Sequence, residues 1–338
     1  MINNMSKYIT IIVPCYNERA TIALLLDALY QQSYPREALE VVITDGDSTD
    51  GTPEVIAAWQ KTHPEIQISI VNLKKQNIPA ALNAAIRVSS GEIIVRLDAH
   101  SKPQTDYVER CVNALIEKRG QNVGGVWDIR PASQHWMARS IAAGASHPIG
   151  VGDARYRYSS QAAYVDTVPF GAFYRSLLDD VGMFDETLLT NEDYEFNTRI
   201  RLNGGKVWFD PQIKSVYYAR STLKALARQY WRYGYWKYQM LRRYPETIRW
   251  RQALPPVFVA GIFLFTLLSL FFPLLRWLWA VVIAGYILTL LLAGLHLAFK
   301  RKDFALCLGV PAAIACMHFC WGTGFLWGMI YPQKLNKG

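Results

Sequence analysis

From Leu254 to Tyr331 charged side chains almost vanish, and this constrains the chain more than any other feature. Only Arg276 and the cluster Lys300, Arg301, Lys302 and Asp303 interrupt it, leaving three apolar stretches at 254–275, 277–299 and 304–331. Each reaches the roughly 20 residues that a helix needs to cross a bilayer. Three such stretches in a row predict a membrane-anchored C-terminal region, 252–338, of about three helices. Residues 1–220 carry charges every few positions, as a water-facing domain does.

Charge placement sets an expected orientation. Between Arg220 and Arg251 nine Lys or Arg face one Glu, directly before the first apolar stretch. Positive-inside bias puts that flank in the cytoplasm. Three crossings then leave Lys300–Lys302 inside and Lys334 and Lys337 outside, the latter against the bias. The polar start Met1–Lys7 and the short apolar run Ile9–Val13 do not make a signal peptide, so the expected location is the inner membrane, multi-pass, with residues 1–220 cytoplasmic. The net charge of +9 is concentrated next to the membrane; this favours anionic headgroups or a pyrophosphate-bearing lipid over nucleic acid. Cys15, Cys111, Cys307, Cys316 and Cys320 show no zinc spacing and read as free thiols.

The first half alternates β-branched runs with helical periodicity, the pattern of a layered α/β fold. Strands are expected at Tyr8–Val13, Glu40–Thr44, Ile66–Val71 and Glu92–Leu97. Between them lie helices from Thr21 to Gln32, with apolar positions 22, 25, 26 and 29, from Thr52 onward, and around Pro79–Val88. Ligands of open α/β sheets bind at the carboxyl ends of strands. Three strands here run into polar clusters there: Asn17-Glu18, Asp45 to Asp50, and Asp98-Ala99-His100. Neither GxGxxG nor a Walker lysine loop is present, which removes support for dinucleotide and P-loop readings. Past Gly124 the pattern becomes irregular. Gly171-Ala172-Phe173 reads as close backbone packing, Asn191–Asn203 as a helix with Asn191 at its N-cap, and 221–251 as a basic aromatic helix region along the membrane surface.

These clusters carry the parts of a sugar transfer from a nucleotide diphosphate. The leaving diphosphate needs a cation or an Arg, and the attacking hydroxyl needs a base. Asp98 and His100 can hold Mn²⁺ or Mg²⁺, the imidazole favouring Mn²⁺. Glu192 and Asp193 sit in a helix first turn, where carboxylates are also common as dipole partners. Arg232 offers a bidentate phosphate contact, with Gln229 beside it on the same helix.

Taken in order, Val13-Pro14-Cys15-Tyr16-Asn17-Glu18, Asp45 to Thr52, Asp98-Ala99-His100, Asp166-Thr167-Val168, Gly171-Ala172-Phe173, Asn191 to Glu195 and Gln229 to Gly234 resemble the family 2 glycosyltransferases. The likeness is strongest to the ExoA-like branch, the succinoglycan-biosynthesis glucosyltransferases. It implies a GT-A, Rossmann-like α/β nucleotide-diphospho-sugar transferase domain followed by a helical transmembrane region. It also implies a UDP-sugar donor, UDP-glucose at family level, and a polyprenyl-diphosphate-linked sugar acceptor in exopolysaccharide synthesis. Residue by residue, Pro14, Tyr16, Glu18, Asp45, Asp47, Asp98 and Arg232 correspond to nucleotide-sugar contacts, and Asp98 and His100 to the metal-binding DxD motif. Asp193 corresponds to the general base; Gly171, Glu192 and Gln229 correspond to acceptor or supporting positions. Relatives often carry two adjacent acids before Gly-Ser. Here Gly46 separates Asp45 from Asp47, which leaves open which of them meets the base. A polyprenyl-phosphate sugar transferase and a non-catalytic membrane scaffold or transport component are the alternatives.

Overall fold

The computed structural model describes residues 7–74 and 77–333; Lys334 and Lys337 lie outside the described residues. The chain forms two compact units, one of residues 1–128 and 159–217, the other of residues 129–158 and 218–338.

The first unit is built on a mixed sheet. Its strands are β1 (Ile9–Cys15), β2 (Leu39–Asp45), β3 (Gln67–Asn72), β4 (Ile93–Arg96), β5 (Lys102–Pro103), β6 (Asn122–Pro131), β7 (Ala163–Tyr164), β8 (Ala172–Tyr174) and β9 (Val207–Ala219). The spatial order is β3-β2-β1-β4-β8-β6-β9-β5, with β7 on β9. β1 pairs in parallel with β2 and β4, and β2 with β3. β4 and β6 then pair antiparallel with β8. The central strands are apolar on both faces because helices cover both sides of a parallel sheet. Ile9, Ile11, Ile12, Val13, Ile43, Ile93, Ile94 and Val95 are fully buried.

The helices of this unit are α1 (Ile22–Tyr30), α2 (Thr52–Thr62), α3 (Ile78–Val88) and α4 (Tyr107–Ile116). In α1 the four apolar positions read from the sequence, Ile22, Leu25, Leu26 and Leu29, are the ones that enter the core. Fully burying each such side chain is worth about 1.5–3 kcal/mol. Pro53 opens α2 where its missing N–H costs nothing, and Asn77 caps α3 by accepting from the Ala80 amide.

Beyond Gly124 the chain is more regular than its sequence suggests. β6, β8 and β9 continue the sheet, with α7 (Leu177–Val181) and α8 (Glu192–Leu202) alongside. Gly124, Gly125, Asp128 and Arg130 obscure the alternation of β6. In the second unit α5 (Trp136–Ala145) and α6 (Pro148–Val151) join α9 (Leu223–Leu241), α10 (Trp250–Ser269), α11 (Pro273–Arg301) and α12 (Leu306–Ile330). His135 and His147 cap α5 and α6 through Nδ1, which accepts from the Met137 and Ile149 amides. The last three helices are long and apolar enough to cross a membrane. α10 and α11 expose most of their surface, including Phe263, Leu274 and Trp277, an extent of apolar area that lipid covers and water does not.

Candidate active site

The parallel register brings the ends of β1 and β2 level, Cys15 opposite Asp45. From there two loops knit together. The Asn17 amide donates to Ser48 Oγ (2.8 Å) and Asn17 Oδ1 accepts from the Thr49 amide (2.9 Å). The Glu18 amide donates to Thr52 Oγ1 (2.9 Å) and the Arg19 amide to Asp50 Oδ2 (3.0 Å). Asn17 and Asp47 take positive φ, 54° and 68°, a conformation that Asn and Asp tolerate through local side-chain hydrogen bonds. The polar run 45–52 is thus a rigid shelf.

On that shelf the two acids around Gly46 differ. Asp47 is exposed, whereas Asp45 is 4% exposed. One carboxylate oxygen of Asp45 accepts from the Ser48 amide (3.0 Å); the other, Oδ1, is buried without a partner. A buried unpaired acceptor is costly, so this oxygen marks a place for a donor. Tyr16, beside Gly46, stands 40% exposed at the same edge. Burial and the neighbouring acids Asp45 and Glu18 push the Cys15 thiol up to about 12, which keeps it protonated and inert.

The centre of the site is Arg96, the last residue of β4. Its side chain is 4% exposed and meets three carboxylates: Glu192 (2.8 Å), Asp98 (3.2 Å) and Asp193. Burial alone would pull its pKa down, but Asp98 and Glu192 more than reverse this and hold the guanidinium charged. The Phe170 ring lies 6.0 Å from it, and Phe170 itself sits at φ 63°. One guanidinium against three carboxylates leaves the cluster net negative. Sequence reasoning missed Arg96. Its signal was a single charge inside an otherwise apolar strand buried on both faces.

α8 presents Glu192 and Asp193 to this arginine. Asn191 does stand at its N-cap position, but with φ 71° and no side-chain cap. What fixes the helix is a polar seam. Tyr194 OH donates to Asp166 (3.0 Å), Asn197 Nδ2 to Thr167 Oγ1 (3.0 Å), and Asn122 Nδ2 to Asn197 Oδ1 (2.7 Å). Gly171 is required beside it, since a Cβ there would collide with the Asn122 amide. Its carbonyl accepts the Arg96 amide (3.0 Å). Arg199 is the counter-ion of Glu195 (2.7 Å) and caps the carbonyls of residues 181–183.

His100 follows two residues after Asp98 and pairs through Nδ1 with Glu18 Oε1 at 2.9 Å; Thr21 donates to the other Glu18 oxygen. Glu18, expected as a nucleotide-sugar contact, also engages the imidazole. Among the described residues no group of three or more His, Cys, Asp or Glu is arranged to hold a metal. In the other unit, Gln229 and Arg232 lie on α9; Gln229 donates to Tyr233 OH (2.8 Å) and Arg232 is exposed.

Comparison with known proteins decides the family of this chain. The family described as Glycosyl transferase family 2 matches residues 10–182, just over half of the chain. The chain belongs to that family. It is a glycosyltransferase with a GT-A-like α/β domain followed by apolar helices long enough to span a membrane. A relative from Methanococcus voltae is a dolichyl N-acetyl-alpha-D-glucosaminyl phosphate 3-beta-D-2,3-diacetamido-2,3-dideoxy-beta-D-glucuronosyltransferase. It is 29% identical over 335 residues, 98% of this chain and 100% of its own. The succinoglycan biosynthesis protein ExoA of Rhizobium meliloti (strain 1021) is 27% identical, covering 93% of each chain. Among solved structures, mannosyltransferase PcManGT from Pyrobaculum calidifontis, in complex with GDP-Man and Mn²⁺, shares the fold. Its TM-score is 0.62 at 24% identity over 96% of this chain and 88% of that one.

Proposed function

We propose that this glycosyltransferase moves a sugar with inversion from a uridine diphosphate donor, glucose being the sugar expected, to a polyprenyl-diphosphate-linked sugar at the cytoplasmic membrane, in exopolysaccharide or cell-surface glycan synthesis. The observation that carries the reading is the joining of Asp98 and Asp193 through one buried arginine. This puts an acid of the metal motif and a candidate base at the end of the same strand. In the proposed step Asp193 accepts the proton of the acceptor hydroxyl as its oxygen bonds to the anomeric carbon. The bond from that carbon to the diphosphate oxygen breaks, and the electron pair leaves with UDP. Arg96 aims Asp193, and the resemblance gives Arg232 the departing diphosphate.

Asp45 is assigned to the nucleobase side, because its unpaired Oδ1 calls for a donor that an imide N–H or a ribose hydroxyl supplies. The residues also fit a divalent ion. His100 has Nδ1 committed to Glu18, the arrangement that selects Nε2 as ligand, and the cluster around Asp98 is net negative. Asp98 and His100 would hold the ion. When bound, such an ion neutralises charge developing on the leaving group. A lipid-linked acceptor is supported by the membrane helices and by the dolichyl-linked acceptor named for the Methanococcus voltae relative.

The test is a UDP-release screen of UDP- and GDP-sugars against extracted lipid-linked saccharides and polyprenyl phosphate, with and without Mn²⁺. Metal-dependent release of UDP that requires a lipid-diphosphate acceptor is the expected result. Release with polyprenyl phosphate alone, or only from GDP-sugars, overturns the proposed acceptor or donor.

A further inference from the structure

By length and composition α12 is a third membrane span, 25 residues long and therefore about 37 Å. Its neighbours are at odds with a crossing. At its start, Asp303 pairs with Arg139 at 2.7 Å, and the pairing holds its carboxyl below the usual range. Gly144 of α5 then lies against Ala313 and Ile314, and Gly150 of α6 against Met317. At its end, the Gln333 amide donates to Gln239 (3.1 Å), Arg242 donates to the Gln333 carbonyl (2.7 Å), and Tyr235 OH reaches the Tyr331 carbonyl (3.4 Å). In between, Gly234 abuts the backbone of Trp321, and Gly324 that of Trp231; neither place has room for a Cβ. Contacts thus advance in step along both helices, so α9 runs parallel to the second half of α12.

Every one of these partners precedes α10 in the chain. A segment before the first crossing stays on the side from which α10 enters unless it crosses by itself. α5 has ten residues, about half the span of a ~30 Å hydrocarbon core. α9 exposes Lys224, Arg228 and Arg232 along one face, and each basic residue at a bilayer centre costs about 2.5–3.5 kcal/mol. Neither helix crosses, so both ends of α12 are tied to the entry side.

The contacts of α12 with the other two apolar helices agree. It meets α11 at Gly294, which lies against Cys307 and Pro311, and near mid-helix, where Tyr286 bonds His318 (3.2 Å). It meets α10 near its start, where Gly322 lies against Pro255 and Val259 and the Phe258 and Phe319 rings are 5.9 Å apart. Farther along, Phe265 and Trp279 stack on each other at 5.6 Å. α12 therefore lies across the base of the α10–α11 hairpin, with Leu308, Trp327 and Ile330 exposed.

We infer that this chain crosses the bilayer twice, through α10 and α11, and that α12 is sunk in the lipid of the entry-side leaflet, starting and ending on the same side. The tail with Lys334 and Lys337 then follows the side of Arg242 and Arg243, and its conflict with positive-inside bias disappears. That this side is cytoplasmic rests on the function proposed above; the same-side relation does not.

The test uses the full chain with an epitope tag at each end, in right-side-out and inverted vesicles from a bacterial host. A Phe271→Cys variant, in the exposed turn between α10 and α11, is labelled with an impermeant maleimide over the parent background. Protease should remove both tags in inverted vesicles and neither in right-side-out ones, while Phe271→Cys labels only in the latter. Loss of the two tags in opposite preparations overturns the inference. Loss of both in right-side-out vesicles alone upholds it and overturns the cytoplasmic assignment.

Discussion

Arg96 and Glu192 meet at 2.8 Å although 96 positions separate them in the chain. That contact joins the end of β4 to the first turn of α8, and the same guanidinium reaches Asp98 and Asp193. Removing it strands three carboxylates around an empty centre. Arg96→Met is expected to lose about 3–5 kcal/mol of stability, the cost of breaking a buried pair. Arg96→Lys keeps the charge without the planar fork. It should fold, melt at a lower temperature, and lose about 10²-fold in kcat through misplacement of Asp193. Thermal unfolding and steady-state transfer rates check both; a Lys variant with parental kcat removes Arg96 from the positioning role.

Asp193→Asn preserves the shape of the side chain and its contact to Arg96 but cannot take a proton. Turnover should fall by about 10²–10⁴-fold, the usual weight of general-base assistance, with UDP binding retained. Calorimetric titration with UDP alongside the transfer assay separates the two effects. Turnover near the parental value would assign the base elsewhere.

The two acids flanking Gly46 should separate in donor kinetics. Asp45→Asn disturbs a buried carboxylate with one unpaired oxygen, and an unmade buried hydrogen bond is worth about 1–3 kcal/mol. Donor KM should rise by roughly tenfold or more, while Asp47→Asn, on an exposed residue, leaves it near parental. The reverse ranking would hand the nucleobase contact to Asp47.

Glu18 and His100 should be linked in metal affinity. Glu18→Gln keeps the loop but weakens the hold on Nδ1, and loss of such a supporting partner lowers metal affinity about 10–100-fold. Mn²⁺ binding to the UDP complex, followed by electron paramagnetic resonance, reads this directly. His100→Asp, giving all-oxygen ligands, should move the preference toward Mg²⁺. Unchanged Mn²⁺ affinity in Glu18→Gln would reduce the pair to a loop contact.

Much of the first unit was legible because its signals are local. Short β-branched runs at 9–13 and 93–95 form strands buried on both faces, and the apolar positions of α1 fall on one helical stripe. The polar clusters at strand ends located the site for the same reason, since the carboxyl ends of parallel strands open on one edge. β6 and β9 were not legible. A glycine pair and two charges interrupt the alternation of β6, and the sheet switches to antiparallel pairing at β8.

What the sequence by itself determined is therefore the layered α/β core, the edge at which the site opens, and an apolar C-terminal region that needs lipid. The tertiary structure decided which charges meet. Arg96 gathers Asp98, Glu192 and Asp193, and Glu18 pairs with His100 across 82 positions. Such pairings depend on where the sheet register and the polar seam at Asn122, Asp166 and Asn197 place α8, and no local periodicity encodes that. The tertiary structure also bears on how α12 meets the membrane. Hydropathy measures whether a helix tolerates lipid; the side on which it ends depends on the partners of Asp303 and Gln333.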